Sequence, residues 1–404
     1  MRAAAAVALV VAVALSRSRT ESDPRTSTST GVRPLFESLV RSVLKHPWLT
    51  LGALAIFAAI AGLIVIVSGI VPVKASSGHW RLTAAILDFA KVRSVRMHSI
   101  GIRPPSSLDD PALVLRGAGH YESGCAPCHG KPGMAVPPVM EAMTPPTPAL
   151  TPLISRWRPQ DLFSIVKHGI KFTGMPAWPA QQREDEVWAM VAFLRRMPAL
   201  DAAAYRDLVY GPTGVMNPAM PHVVRDICWR CHGEDGTGRG SGAFPSLAGQ
   251  RAAYLHASLR AFADRRRFSA IMGTIAANLD DRTMREAAAY YERLPLRIGG
   301  ESTDASARAR GASLAAHGVP DRDIPSCAHC HGPAATPKNP AYPALAGQHA
   351  PYLALQLELF QQHRRGGSGF ANLMHVFVGR LRPEQINDVT RYYSSLQGEG
   401  STPR

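Results

Sequence analysis

The six cysteines of this 404-residue chain all fall in three copies of one pentapeptide, Cys-x-x-Cys-His. The copies are Cys125, Cys128 and His129; Cys228, Cys231 and His232; and Cys327, Cys330 and His331. In this spacing two thiols can form thioethers to a haem, and the adjacent imidazole is held against the iron as an axial ligand. The motifs therefore predict three covalently bound haem c groups, with the three histidines as iron ligands.

Paired cysteines have two other common uses in proteins, structural zinc binding and thiol–disulfide exchange. Structural zinc needs four ligands, usually with a separated second pair, whereas each cluster here offers two cysteines and one histidine. A redox-active Cys-x-x-Cys pair does not require a histidine after it in all three copies. Haem attachment is the interpretation that uses every residue of the motif.

The second axial ligand of each iron is predicted to be a methionine, whose thioether raises the reduction potential relative to a second histidine. Met374 is the only methionine after Cys327, and Met272 occupies the matching position in the preceding copy. Met175 is selected in the first copy by its Gly-Met-Pro context and by Phe193, eighteen residues further on. The predicted sixth ligands are therefore Met175, Met272 and Met374.

Other methionines and histidines compete for these positions. Met190 and Met284 are interpreted as core-filling side chains, and His375 is the nearest rival because it adjoins Met374. The remaining competitors are Met134, Met140, Met143 and Met197, and His168, His222, His256, His317, His349 and His363. No histidine recurs in register between copies, so methionine is preferred at all three irons.

The motif cysteines are 103 and 99 residues apart, which indicates a repeated module of about 100 residues. A Pro-x-Leu-Ala-Gly-Gln segment recurs at 245–250 and 343–348, followed by Tyr-Leu at 254–255 and 352–353. We define module 1 as 111–200, module 2 as 201–300 and module 3 as 301–404, which includes a C-terminal tail. The predicted fold is all-α.

Apolar residues at helical spacing predict a closing helix in each module, at 184–197, 282–294 and 383–396. Opening helices are predicted at 111–122 and 305–317. The opening helix of module 2 is doubtful because Pro212, Pro218 and Pro221 interrupt the region.

Residues 48–73 carry no charge, which predicts a transmembrane helix because about 20 apolar residues span a bilayer. Residues 1–47 are expected to be a disordered cytoplasmic segment; within it, 3–15 resembles a signal-peptide core, unless translation starts further on. Residues 74–110 are predicted to be a juxtamembrane linker in which 80–97 is either a helix on the membrane surface or a spacer. Covalent haem attachment takes place on the outer, periplasmic face of bacterial-type inner membranes. We therefore expect a single-pass inner-membrane protein whose modules lie in the periplasm.

The chain is basic, with 45 Lys and Arg against 30 Asp and Glu, a formal charge of +15. Its arginines are scattered and form no run interleaved with aromatic residues, so nucleic-acid binding is not indicated. Acidic proteins, anionic lipids or anionic cofactors fit the charge equally well.

Modules 2 and 3, about 215–397, resemble the periplasmic dihaem cytochromes of the c-four type in their Cys-x-x-Cys-His-Gly, Leu-Ala-Gly-Gln and Met…Tyr-Tyr elements. Module 1 resembles class I monohaem cytochrome c domains through Cys125–Gly130 and Gly174–Trp178. The departures are the weak opening helix of module 2 and an insertion at 364–369. The resemblance implies an all-α fold, His/Met haems and electron transfer, with dihaem relatives that donate to terminal oxidases.

The preferred hypothesis is a membrane-anchored triheme electron carrier of a respiratory chain that delivers electrons to a haem-copper oxidase, with no catalytic residues of its own. The alternative is the electron-accepting cytochrome subunit of a membrane-bound dehydrogenase. A haem peroxidase is a third interpretation, and it requires one iron to lack its methionine. In each case the partners are redox proteins, and the motifs do not identify the donor or the acceptor.

Overall fold

The computed structural model describes residues 46–71, 73–211, 218–295, 304–332, 339–367 and 369–396. Regular secondary structure in these ranges is helical, apart from one isolated antiparallel bridge between Val319 and Ile324. The predicted all-α class is thereby confirmed. The chain divides into two units, residues 1–74 and 75–404, which are described separately.

The first unit contains helix α1, Pro47–Ser68. Its 22 residues are long and apolar enough to cross a membrane, a criterion that a signal sequence also meets. The helix ends at Gly69, which adopts the left-handed conformation with φ 63°, and Pro72 follows, which cannot continue a helix. Within the predicted membrane span 48–73, the helix thus covers the residues up to Ser68. The prediction for 1–47 falls almost entirely outside the described residues.

The longer helices of the second unit are α2 (Arg81–His98), α3 (Pro111–Gly124), α4 (Pro159–His168), α5 (Glu184–Arg196), α6 (Ala202–Tyr210), α7 (Ala252–Ala263), α8 (Ala270–Ala277), α9 (Asp281–Arg293), α10 (Ala305–His317), α11 (Ala350–Gln361), α12 (Ala371–Val378) and α13 (Pro383–Ser395). Shorter turns lie at Ala126–His129, Pro138–Glu141, Trp229–His232 and Cys327–His331. The predicted opening helices correspond to α3 and α10, and the predicted closing helices correspond to α5, α9 and α13. Their boundaries agree with the predictions to within two residues.

Helix α2 is attached to module 1 at its C-terminal end. The Ser99 hydroxyl donates to Asp161 Oδ1 at 2.5 Å, and Asp161 lies on α4 with 1% of its surface exposed. The Arg158 guanidinium donates to the same carboxylate at 2.9 Å. Leu82, Ile86 and other apolar residues of α2 are exposed. The segment interpreted as either a membrane-surface helix or a spacer is thus helical over Arg81–His98.

The opening and closing helices cross closely in modules 1 and 3. A Cβ added to Gly117 on α3 would lie 2.0 Å from the Ala189 carbonyl oxygen on α5. In module 3, a Cβ on Gly311 of α10 would lie 2.1 Å from the backbone carbonyl oxygen of Asp388 on α13. Glycine at each crossing lets the two backbones approach.

Module 2 is built differently before its motif. Among the described residues between α6 and Cys228, helical structure begins only at His222 and passes through the π-helical turn Val224–Cys228 into the motif, so no long opening helix like α3 or α10 precedes it. Helix α6 falls in the range assigned to module 2, yet its Tyr205 is buried in the core of module 1. The Tyr205 and Tyr210 hydroxyls both donate to Glu122 on α3, each at 2.6 Å.

Modules 2 and 3 exchange equivalent hydrogen bonds. The Gln250 side chain accepts from Ala344 N at 2.9 Å and donates to Ala344 O at 3.0 Å. The Gln348 side chain accepts from Ser246 N and donates to Ser246 O, both at 2.9 Å. Each glutamine belongs to one copy of the repeated Leu-Ala-Gly-Gln segment. The repeat therefore pairs two similar modules face to face in an approximately twofold arrangement.

Candidate haem sites

Each Cys-x-x-Cys-His motif lies on a short helical turn. Residues at i, i+3 and i+4 of a helix lie on one face, so both thiols and the imidazole face the same side. The glycine after each motif has a positive φ, 72° at Gly130 and 80° at Gly233 and Gly332. A residue that tolerates this conformation ends the turn directly after the histidine. The sequence thus fixes the local geometry of all three motifs.

The imidazole of each motif forms the same hydrogen bond. His129 Nδ1 donates to the carbonyl of Pro148 at 3.0 Å, His232 Nδ1 to Pro245 at 3.2 Å, and His331 Nδ1 to Pro343 at 3.0 Å. A carbonyl can only accept, so the proton belongs on Nδ1 and the lone pair on Nε2. Burial lowers the pKa of all three imidazoles, against the opposing effect of this hydrogen bond. Each histidine is therefore neutral and oriented as a metal ligand.

Motifs 2 and 3 open into one cavity of about 700 Å³. Its lining includes the cysteines and histidines of both motifs together with Met272 and Met374. Met272 lies on the first turn of α8, where Ser269 Oγ accepts from its backbone N at 3.2 Å. Met374 lies in the equivalent position on α12. Two of the three predicted ligand sets are thus brought together around one space.

Met175 lies in the loop between α4 and α5, where its backbone N donates to Thr173 Oγ1 at 3.1 Å. Met143 lies beside it: a Cβ on Gly174 would be 2.3 Å from Met143 Cε. The Met143 sulfur accepts a hydrogen bond from Thr147 at 3.6 Å. Met175 therefore remains the predicted ligand of the first iron, with Met143 as its nearest competitor.

Met190 and Met284 are buried, with 0% and 2% of their surfaces exposed, which confirms the prediction that they fill the core. His375 directs Nε2 to the carbonyl of Arg365 at 2.6 Å, and its ring contacts Phe360. This contact argues against His375 as the ligand that replaces Met374. Among the described residues, no group of three His, Cys, Asp or Glu side chains is arranged to hold a metal ion by itself.

Sequence reasoning missed a pair of crossed contacts in the cavity. Arg267 donates to the Tyr352 hydroxyl at 3.0 Å, and Arg365 donates to the Tyr254 hydroxyl at 2.9 Å, so each module supplies an arginine to the tyrosine of the other. Each arginine also lies over a phenylalanine, Phe262 or Phe360, five residues before it. The sequence shows both the five-residue spacing from phenylalanine to arginine and the repeated Tyr-Leu pair. Neither pattern indicates a contact between modules.

The cavity is strongly positive. Its described lining contains six arginines and one glutamate, Glu186. Burial raises the pKa of Tyr254, but the nearby Arg365 and Arg267 outweigh it and lower this pKa to about 8. A cavity that is otherwise mainly apolar therefore favours a ligand with an apolar body and several negative charges.

These residues fit haem c. The thiols can form thioethers, the oriented imidazoles and the thioether sulfurs are suitable iron ligands, and the arginines can balance carboxylates. When bound, haem supplies one-electron iron chemistry. The protein's own residues attach the group, select the imidazole nitrogen that faces the iron, and exclude water with an apolar wall.

The comparisons with known proteins agree with this chemistry. The family described as cytochrome c oxidase, cbb3-type, subunit III matches residues 112–194, and the family described as cytochrome c matches 222–293 and 309–397. Both imply covalently bound haem c.

Two curated relatives and one solved structure are similar to the chain. The thiosulfate dehydrogenase electron acceptor of Stutzerimonas stutzeri is 35% identical over 210 residues, which are 52% of this chain and 94% of that protein. Cytochrome c4 of Pseudomonas aeruginosa is 31% identical over 171 residues, 42% of this chain and 84% of that protein. The structure of cytochrome c4 from Acidithiobacillus ferrooxidans is 31% identical, with a TM-score of 0.39, and covers 43% of this chain and all of that one.

Proposed function

Because the chain belongs to the multihaem c-type cytochromes and its relatives indicate an electron-transfer protein rather than an enzyme, we propose that it accepts electrons from a dehydrogenase of the thiosulfate-oxidising class. The observation that carries the proposal is the 35% identity over 94% of a thiosulfate dehydrogenase electron acceptor. A second such electron acceptor, from Thiomonas intermedia, is 34% identical over 77% of its length. The alternative hypothesis from the sequence, a dehydrogenase's cytochrome partner, therefore becomes the main one.

The proposed cofactor content is three haem c groups with His/Met ligation. Cys125 and Cys128, Cys228 and Cys231, and Cys327 and Cys330 attach them; His129 with Met175, His232 with Met272, and His331 with Met374 ligate the irons. The shared cavity supports the assignment in modules 2 and 3, because both motifs and both methionines line it. In this arrangement no iron keeps an open position for substrate, which accords with a carrier.

The proposed location is the periplasmic face of a bacterial inner membrane. Helix α1 supports an anchor by its length and apolar composition, and cytochrome c domains are typically periplasmic. An anchored carrier remains near membrane enzymes while its modules exchange electrons with soluble partners.

A haem-copper oxidase is the proposed electron acceptor on the other side. The observation that favours it is the match of residues 112–194 to subunit III of cbb3-type oxidases. In this proposal electrons enter from the dehydrogenase and leave to the oxidase, and the two partners need not bind the same module.

Co-purification tests the proposal. The full chain is extracted from native membranes in mild detergent and captured, and the accompanying proteins are identified while thiosulfate-dependent, cyanide-sensitive oxygen uptake is followed. Recovery of a thiosulfate-oxidising subunit, with uptake that depends on this chain, is the expected result. Recovery of another dehydrogenase, with no uptake driven by thiosulfate, would contradict the proposed donor.

A further inference from the structure

The segment that leads into Met272 is packed into module 1. Ala270 is 3% exposed and belongs to the hydrophobic core of module 1, and Phe268 and Ile271 pack against that core. Met272 itself packs with the core of module 2, beside Phe262 and Met284. The boundary between the two cores thus runs directly before the predicted iron ligand.

Two charged residues of module 1 hold the same segment by its backbone. Glu186 Oε2 accepts from Ala270 N at 2.9 Å, and Arg183 donates to the Phe268 carbonyl at 2.6 Å. Arg183 Nη1 and Glu186 Oε1 form an ion pair at 3.2 Å, and Glu186 is 3% exposed. Trp178 Nε1 donates to the same Glu186 oxygen at 3.2 Å. These partners hold the buried Glu186 carboxylate in place, because breaking any of these contacts would leave a buried polar group without its hydrogen bond.

Module 1 also contacts the opposite side of the module 2 site. Arg116 Nε donates to the Ala243 carbonyl at 2.9 Å, two residues before Pro245, whose carbonyl orients His232. Helix α3 passes so close to the motif that a Cβ on Gly119 would lie 3.3 Å from Cys231 Sγ. Module 1 therefore forms part of the wall around the second motif.

In module 3 a contact with module 1 lies further from the methionine: Glu184 Oε2 is 4.0 Å from Arg364 Nη1, ten residues before Met374. The residues before Met374 pack within module 3 itself: Ala371 belongs to its core, and Phe370 contacts Tyr342 edge-on. Phe370 and Leu373 are 39% and 47% exposed. Met374 is thus an internal reference for a methionine whose preceding described residues pack within their own module.

We propose that module 1 positions the sixth ligand of the haem iron in module 2, with Glu186 and Arg183 as the positioning residues. The inference rests on the ligand assignment in the proposed function, because it takes Met272 as that ligand. Methionine is a neutral ligand on a flexible side chain, so its bond to iron depends on where α8 begins. Glu186 fixes the first amide of α8, and Arg183 fixes the carbonyl two residues earlier.

The test uses the full haem-loaded chain in detergent and reads the near-infrared charge-transfer band of oxidised His/Met haem. Met272→Ala defines the share of this band that belongs to module 2. Glu186→Ala is expected to lose the same share, about one third of the band of a three-haem protein, and to gain carbon monoxide binding in the reduced state. Glu186→Gln keeps an oxygen acceptor for Ala270 N and is expected to retain the band.

Glu184→Ala is the matched control. Glu184 lies on the first turn of α5, is 42% exposed at its side chain, pairs with Lys167 at 2.5 Å, and lies 4.0 Å from Arg364 of module 3 without contacting the segment before Met272. Its loss is expected to leave the band at the wild-type intensity. If Glu186→Ala does not accumulate with three haems, Arg183→Gln replaces it in the test. This variant removes the donor to the Phe268 carbonyl and is expected to lose the same third of the near-infrared band.

A full wild-type band in Glu186→Ala, or in Arg183→Gln where that variant is needed, would overturn the proposal. A Met272→Ala variant that keeps the full band would instead overturn the ligand assignment, and the inference with it. That outcome is separate from a failure of the proposed partner, because the band is measured without any dehydrogenase present.

Discussion

At the scale of single residues, the histidine that follows each cysteine pair is oriented by a proline carbonyl. The three bonds are 3.0 to 3.2 Å long, although the proline lies 19, 13 or 12 residues after its histidine. A common contact made across unequal loops indicates one requirement, an imidazole with its Nε2 lone pair free. The sequence shows the prolines, but it does not show which of the 33 accepts this bond.

The first prediction concerns Met374. The reduced wild-type protein is expected to bind no carbon monoxide, because every iron has two protein ligands. Met374→Ala is expected to bind one equivalent, measured by the change in haem absorbance on addition of the gas. Met284→Leu is the control, since it exchanges a buried core methionine for a side chain of similar volume. Carbon monoxide binding by the wild type at one full equivalent would contradict the ligand assignment.

The second prediction concerns Asp161. Burial raises the pKa of this carboxyl, but hydrogen bonds from Arg158 and Ser99 outweigh burial and hold the pKa below its ordinary value of 3.8. A lowered pKa in the folded state stabilises the protein above the unfolded pKa, and the contribution is lost as pH falls below it.

Asp161→Asn is therefore expected to have a lower melting temperature than wild type at pH 7, and the difference should shrink as pH falls below about 4. Hydrogen exchange of α2 amides, measured at the same pH values, should be faster in the variant at pH 7. A melting difference that is constant across this range would show that the carboxylate charge plays no part.

At the scale of helices, the sequence is informative where a pattern is local. The opening helix 305–317 and the closing helices were predicted to within two residues, because apolar spacing and helix-ending residues lie within each element. The contacts of α6 with module 1, and the insertion of 268–271 into its core, were not predicted. Both depend on side chains from distant parts of the chain, and local periodicity carries no information about them.

The third prediction concerns the helix crossing in module 3. Gly311→Ala places a methyl group 2.1 Å from the backbone carbonyl oxygen of Asp388. The resulting overpacking is expected to destabilise the protein by about 1–3 kcal/mol. Ser313→Ala is the matched control, because Ser313 lies on the same helix α10 at an exposed position. Denaturant unfolding of the two variants tests this, and equal midpoints would contradict the close crossing.

At the scale of the whole molecule, the repeated segments serve the contact between modules as well as each module's own fold. Gln250 and Gln348 are each 7% exposed and bind the backbone of the opposite module. The Arg–Tyr pairs cross between the same two modules. The sequence predicts the repeat but not the contacts between modules 2 and 3. Residues at the same position in two copies can contact either their own module or the other one.

The fourth prediction follows from this pairing. Gln348→Ala leaves the buried N–H and carbonyl of Ser246 without partners and is expected to cost about 1–3 kcal/mol of unfolding free energy. Gln362→Ala, at an exposed position after α11, is the control and is expected to be neutral. Denaturant unfolding measures both, and a Gln348→Ala variant as stable as the control would contradict the proposed module pairing.

Rapid mixing of the oxidised full chain with thiosulfate dehydrogenase and thiosulfate tests whether this protein accepts electrons from that enzyme. We expect the haem absorbance to change to that of the reduced form with the amplitude of three haems, and we expect no change when either the enzyme or thiosulfate is omitted. A protein that a small-molecule reductant reduces fully, but that the dehydrogenase with thiosulfate leaves oxidised, would contradict this expectation.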